Sequence, residues 1–329
     1  MKRKNRVPTT TRRPRVFTWH IHGNYLFYLT QAKAEFYLPF DDTRSPGYTG
    51  KTKNFPFGSN VHEVHKNDVK GLDVDLILFQ DDEQFLEDQY TIFSKAQQKL
   101  PKVYLEHDPP LDHPVNTKHI VDDPDILLVH VTYFNQLMWD NNRTATTVVE
   151  HGVLMPDKIT YNGKLEKGIV MVNNIQSKKR GQRRMGYDIF SYIKKYIPLD
   201  IIGMESKGIG GLGEIPYGKV ANILCGYRFF FNPIRYTSLG LSVCEAMSLG
   251  LPIVGIATTE MPNVIENNVS GFVDTNIDTL IAKMKLLLEH PKEAKRLGDG
   301  AKEVAKKRFS IERFAKDWED IFSTMTQKE

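Results

Sequence analysis

From Arg15 onward, short apolar runs alternate with longer stretches whose apolar residues recur at helical spacing. That alternation is the pattern of parallel sheets joined by crossover helices, and it predicts an α/β fold. Candidate strands lie at residues 16–19, 75–79, 102–106, 126–129 and 147–150, each ending where polar residues begin. Between Asp157 and Lys167 the chain turns polar, and a second series follows at 168–172, 199–202, 228–231 and 252–256. The organisation predicted is a basic tail over 1–14, a first domain over 15–157, a second over 158–309 and an amphipathic helix over 310–329. In that last helix Phe314, Trp318, Ile321, Phe322 and Met325 form one apolar stripe that must pack on something, and Ser310 is its N-cap candidate.

Bulk properties narrow the classes. With 329 residues and 40% hydrophobic composition, each half can bury a core of its own. Lys and Arg number 44 against 40 Asp and Glu, a balance too even for a nucleic-acid binder, so any anion site is local. The exception is the N-terminus, where Lys2, Arg3, Lys4, Arg6, Arg12, Arg13 and Arg15 occur with no acidic residue among them. Such a run reads as a solvated tail or as a peripheral contact with an anionic membrane surface. No stretch is apolar enough to span a bilayer or to form the core of a secretory signal, which leads to the expectation of a cytoplasmic protein, at most at the inner face of the membrane. Cys225 and Cys244, the two cysteines, sit in apolar surroundings and read as packed thiols. His62 and His65 in VHEVH lack the spacing of the helical zinc-protease motif and read as a strand edge or loop, so no metal is expected.

The densest chemistry lies in NPIRYTSLGLSVCEAMSLGLPIVGIATTEMPNVIENNVSG, residues 232–271. An apolar strand ending at Phe231 leads through Ser238, Leu239 and Gly240 into a helix reaching about Leu249. The unpaired amides of that helix's first turn and its dipole suit a diphosphate, and Gly240 allows close backbone approach. Glu245 follows inside the helix. By itself such a residue reads first as an ordinary salt-bridged helix Glu, and its carboxylate is also suited to accept hydrogen bonds from a ribose diol.

The segment LGLSVCEAMSLGLPIVG, followed by MPNVIENNVSGFV, resembles the donor-binding region of retaining family-4 glycosyltransferases of GT-B architecture, with similarity clear over about residues 165–325. That resemblance implies two Rossmann-like domains facing across a cleft, with the C-terminal helix packing back toward the N-terminal domain. It implies a nucleoside-diphosphate sugar as donor substrate, no cofactor and no metal. Glu245 matches the family's ribose-binding Glu, whereas Thr237 stands eight positions earlier where the family has a Glu touching the donor sugar. A Thr hydroxyl still donates and accepts a hydrogen bond. Glu260, Met261, Pro262 and Asn263 precede Val264 and Ile265 where the family shows two glycines and then a Glu.

The same resemblance assigns a phosphate-binding loop to VNNIQSKKRGQRRMGYD, which carries Lys178, Lys179, Arg180, Arg183 and Arg184. Asn174 falls in the family's Arg slot, and Arg180 or Arg184 stands in for its Lys. Arg235 is a further cation beside Tyr236 and Thr237. In YLEHDPP, His107 matches the His of the family's His-Asp loop, which contacts the donor sugar. In WHIHGNYLFYL, Gly23 and Asn24 match its glycine-containing first loop, with a helix cap as the alternative. Ile215 and Pro216 are candidates for the border of the base.

The expected activity is transfer of a sugar to a glycan, lipid-linked or small-molecule acceptor with retained configuration. A donor-binding protein without transfer activity, and an epimerase or phosphorylase on the same architecture, are the alternatives.

Overall fold

The computed structural model describes residues 12–179 and 181–327. Its first half runs β1 (Arg15–Thr18), α1 (Gly23–Leu29), β2 (Glu35–Phe40), β3 (Val61–His65), β4 (Leu76–Phe79), α2 (Gln89–Ile92), β5 (Lys102–Glu106), β6 (Leu127–His130), α3 (Tyr133–Met138) and β7 (Ala145–Val148). These strands form a seven-stranded sheet in the order β3-β2-β1-β4-β5-β6-β7. The second half runs β8 (Leu165–Met171), α4 (Tyr187–Ile193), β9 (Leu199–Ile202), α5 (Tyr217–Leu224), β10 (Tyr227–Asn232), α6 (Leu241–Leu249), β11 (Ile253–Ile256), α7 (Met261–Val264), β12 (Gly271–Asp274), α8 (Ile277–Glu289), α9 (Pro291–Arg308) and α10 (Ile311–Thr326). Its five-stranded sheet has the order β12-β11-β10-β8-β9. Neighbouring strands pair in parallel in both sheets, with Val16 opposite Leu76 in one and Phe230 opposite Ile253 in the other. These are two Rossmann-like domains.

The apolar runs at 102–106 and 199–202 coincide with β5 and β9, and β8 begins three residues before the run at 168–172. β2 and β12 fall outside the apolar runs of the sequence, while β3 is the strand edge that VHEVH suggested. In β2, Pro39 argues against a strand, but β2 pairs with β1 only as far as Tyr37, so the missing amide of Pro39 meets no β1 partner. An edge position lets β3 carry His62, Glu63 and His65. His62 bonds Glu35 and stacks on Tyr37, so its role is local.

In an open α/β sheet, ligands gather at the carboxyl ends of strands where the strand order reverses. Here the reversals lie between β1 and β4 and between β8 and β10. The loops that leave β1, β8 and β10 therefore border the space between the domains.

α10 returns to the first domain. Phe314, Trp318, Phe322 and Met325 are buried, Trp318 donates from Nε1 to the Tyr25 hydroxyl at 3.3 Å, and Phe322 meets Phe36 edge-on at 6.0 Å. The Ser310 hydroxyl caps the helix by accepting the Arg313 amide at 3.3 Å. Each of these large side chains contributes roughly 1.5–3 kcal/mol by burial. Cys225 and Cys244 are free and buried. Among the described residues no helix is long and apolar enough to cross a membrane.

Of the basic tail, residues 1–11 lie outside the described residues. Arg12 pairs with Asp75, Arg13 with Glu35 and Arg15 with Asp73.

Candidate active site

Four residues apart on α1, Asn24 and Tyr28 share one helix face. Both reach across the cleft to Glu245 on α6. The Asn24 Nδ2 donates to Glu245 Oε1 at 3.0 Å, and the Tyr28 hydroxyl donates to the same oxygen at 2.7 Å. Glu245 is 1% exposed. Burial pushes its carboxyl up to about 6, although both donors oppose the rise. Burial also holds the Tyr28 phenol well above its ordinary range. Glu245 is thus held by neutral donors of the opposite domain.

Beside this contact the cleft holds a cavity of about 320 Å³. His22, Gly23 and Asn24 line it from the first domain, and Leu241, Ser242 and Glu245 from α6. Its far wall comprises Met171 at the end of β8 and Asn173 just after it, Gly203 after β9, and Glu214 to Tyr217 at the start of α5. Ile215 and Pro216 are therefore on this wall. Gly240 is the N-cap of α6 and, having no side chain, makes no capping bond to its first-turn amides. Those amides give the N-terminus the partial positive charge that attracts phosphate.

Asn54 and Phe55, from the long loop between β2 and β3, complete the lining. The Phe55 ring covers Gly23 so closely that a Cβ there would come within 2.5 Å of it. Phe55 also stacks on Phe27 at 5.9 Å and meets Tyr217 of α5 at 5.6 Å. An aromatic bridge therefore joins the two walls.

His107 sits behind His22, with ring centroids 4.1 Å apart, and edge-on to Tyr25 at 4.8 Å. Its Nε2 lies 3.1 Å from Gln80 Oε1. Gln80 is itself oriented by donating to the Thr18 hydroxyl and the Trp19 carbonyl, so His107 must be the donor in this pair. Burial, then the facing His22 and His151, holds the His107 imidazole well below its usual range. It is neutral, with Nδ1 as an acceptor.

The turn over residues 236–239 touches the first domain directly. Tyr236 donates to the Pro110 carbonyl at 3.1 Å, Ser238 donates to the His107 carbonyl at 2.8 Å, and His151 Nε2 donates to the Leu239 carbonyl at 2.8 Å. Burial lowers His151 to about 4. A further tie is Glu260, which is buried, accepts the Phe134 amide of α3 at 3.1 Å and lies 3.8 Å from Arg308. Thr259 before it has φ of 54°, a left-handed conformation disfavoured for a β-branched residue.

Of the residues singled out in the sequence, the cavity brings together Gly23, Asn24, Ile215, Pro216, Leu241 and Glu245. Thr237, Ser238, Leu239 and Gly240 occupy the adjoining turn and are not in the cavity lining, nor is His107, which reaches it through His22. Asn174 is replaced in the lining by Asn173. Asn174 has φ of 52° and donates its amide to the Met204 carbonyl, so the chain turns off after Asn173. Arg184 lies beside Tyr236, where its charge opposes the upward shift that burial gives the Tyr236 phenol. Arg183 and Arg235 share Asp188. Arg180 lies outside the described residues. Sequence reasoning missed Tyr28, Phe55, Asn173 and Glu214.

Residues 206–304 match the family Glycosyl transferases group 1. The matched stretch runs from the loop after β9 into α9 of the second domain. Trehalose synthase of Pyrococcus horikoshii is 33% identical over 86 residues, which are 26% of this chain and 21% of that protein. The chain thus matches about a fifth of that curated relative's length. Sucrose-phosphate synthase from Thermosynechococcus elongatus superposes with a TM-score of 0.71 at 13% identity, over 96% of this chain and 100% of that one. Anabaena Alr3699/HepE, solved with UDP-glucose, gives 0.65 at 12% identity, over 94% and 99%. The two domains thus adopt the GT-B fold.

Proposed function

We propose that this protein transfers a sugar from a nucleoside-diphosphate sugar to an acceptor hydroxyl, with retention and without a metal ion. The observation carrying this reading is the buried Glu245 carboxylate at the edge of a cavity that also contains the start of α6. A ribose diol can donate to the carboxylate while the diphosphate meets the first-turn amides. Anabaena HepE, of the same fold, was solved with UDP-glucose, which supports the class of donor.

In this mechanism the bond from the anomeric carbon to the diphosphate oxygen breaks, and its electron pair stays on the diphosphate. The acceptor oxygen bonds to the same face, and its proton passes to a phosphate oxygen. Catalysis rests on positioning and on stabilising the leaving charge. Neutral His107 orients the sugar, Thr237 takes a hydroxyl, and the ties at Ser238 and Glu260 hold the cleft shut against water. The protein works in the cytoplasm, where residues 1–14 can meet an anionic membrane surface.

The test is nucleoside-diphosphate release from a panel of nucleotide sugars with mixed glycan, lipid and small-molecule acceptors. Glu245→Gln should raise the donor KM, and His107→Ala should lower kcat more than donor affinity. Nucleotide binding with no turnover of any donor would favour the reading as a binding protein.

A further inference from the structure

The loop between β2 and β3, residues 41–60, exceeds the roughly 12–15 residues beyond which loops without helix or strand are uncommon and, when ordered, usually functional. Its second half reaches the donor cavity through Asn54 and Phe55. Its first half is held in shape by its own side chains. Asp41 accepts the amides of Thr43 at 3.1 Å and Ser45 at 3.0 Å. Arg44, left-handed at φ of 53°, lies 4.2 Å over the Phe40 ring, donates to the Thr49 carbonyl at 2.9 Å and pairs with Glu63 of β3. A non-glycine residue keeps such a conformation only where its surroundings fix it, and such residues gather at ligand sites.

This loop forms an open pocket of about 570 Å³, lined by Arg44, Thr49, Lys51, Thr52, Lys53 and Glu63. Glu63 is the one carboxylate in the lining, and Arg44 neutralises it. Lys51, whose Nζ donates to the Val61 carbonyl at 3.2 Å, and Lys53 form no ion pair among the described residues, so the pocket carries net positive charge. The Thr49 and Thr52 hydroxyls are buried without a partner. Buried hydroxyls are nearly always hydrogen-bonded, so two orphans in one pocket wall point to an occupant with several acceptor oxygens.

A single imidazole connects this pocket to the donor cavity. His20 Nδ1 donates to the Gly50 carbonyl at 2.7 Å, and a Cβ at Gly23 would lie 3.3 Å from His20 Nε2. Gly50 stands between the lining residues Thr49 and Lys51, while Gly23 lines the donor cavity. The two spaces are one ring apart.

We propose that this pocket is an acceptor subsite and that the acceptor carries a phosphate group. Lys51 and Lys53 supply its counter-charge, the Thr49 and Thr52 hydroxyls donate to its oxygens, and the acceptor's reacting hydroxyl reaches past His20 into the donor cavity. The phosphate is a handle and takes no part in bond making. This rests on the sugar transfer proposed above.

Calorimetry with inorganic phosphate, glycerol phosphate and glycerol, on the wild type and on Lys51→Gln combined with Lys53→Gln, tests the proposal. Flotation with phosphatidylglycerol or phosphatidylcholine vesicles separates a free phosphate from a lipid headgroup. The wild type should bind glycerol phosphate and not glycerol. The double variant should lose at least about tenfold in that affinity, which is about 1.4 kcal/mol, and keep nucleoside-diphosphate affinity within about twofold. Where a donor turns over, the acceptor KM should rise with kcat little changed. Binding to phosphatidylglycerol vesicles alone, lost in the double variant, assigns the phosphate to a lipid headgroup. Equal binding of the phosphate probes by both proteins, or no binding of any of them, overturns the proposal. A wild type that binds phosphate through these lysines but no nucleoside diphosphate refutes the donor site and leaves the phosphate pocket standing.

Discussion

Replacing Tyr28 by Phe removes one O–H donor from a buried carboxylate and changes little else in shape. Glu245 Oε1 then retains only the Asn24 amide at 3.0 Å. A hydrogen bond to a charged group contributes about 1.5–3 kcal/mol, against roughly 1 kcal/mol for a neutral one. The penalty should therefore depend on the charge of Glu245. In the wild type the carboxyl rises from an ordinary 4.5 to about 6 on folding. A raised folded value means that stability from this group is fully present below 4.5 and is lost as pH climbs through 6. The loss is about 2 kcal/mol, at about 1.36 kcal/mol for each pH unit between the two values. Without the Tyr28 donor, which opposes the rise, the carboxyl moves further up and the loss extends to higher pH. Urea unfolding followed by tryptophan fluorescence should then give a Tyr28→Phe penalty of about 1 kcal/mol at pH 5 and about 2–3 kcal/mol at pH 8. A penalty independent of pH, or larger at pH 5, would refute the reasoning.

Trp318→Ala should cost about 3–5 kcal/mol and release α10 from the first domain, because Trp318 is fully buried beside Tyr25; limited proteolysis near Phe309 should accelerate, and unchanged digestion would contradict this. Thr259→Gly should raise stability by about 0.5–1 kcal/mol by relieving the left-handed backbone, despite losing a 3.4 Å contact to the Ser238 carbonyl. A lower urea midpoint would show that this contact outweighs the strain.

The α/β fold was legible because strands buried on both faces leave continuous apolar runs, as in YRFFFN of β10. The start of α6 and Glu245 were legible because helix, turn and carboxylate are adjacent in sequence. Tyr28 was not. Its partner lies 217 residues away, and within an aromatic run it looks like one more core side chain. Asn173 and Asn174 differ by one position at the end of a strand, and only the backbone turn at Asn174 decides which lines the cavity. The resemblance assigned the basic loop to phosphate, but its sequence does not reveal that Asp188 engages Arg183 of that loop together with Arg235. Glu260 stood out only as a departure from the family pattern, whereas its burial against α3 is a contact between domains.

The central claim is that a nucleoside diphosphate binds in the cleft on Glu245. Thermal unfolding of wild type and Glu245→Gln with a panel of nucleoside diphosphates and nucleotide sugars, without added metal, tests it most directly. Ligand at about 100 times its Kd stabilises the native state by about 2.7 kcal/mol, so one nucleotide series should raise the wild-type Tm by several degrees. The same series should shift Glu245→Gln much less. No shift at millimolar concentration with any member, or equal shifts in both proteins, would contradict the account.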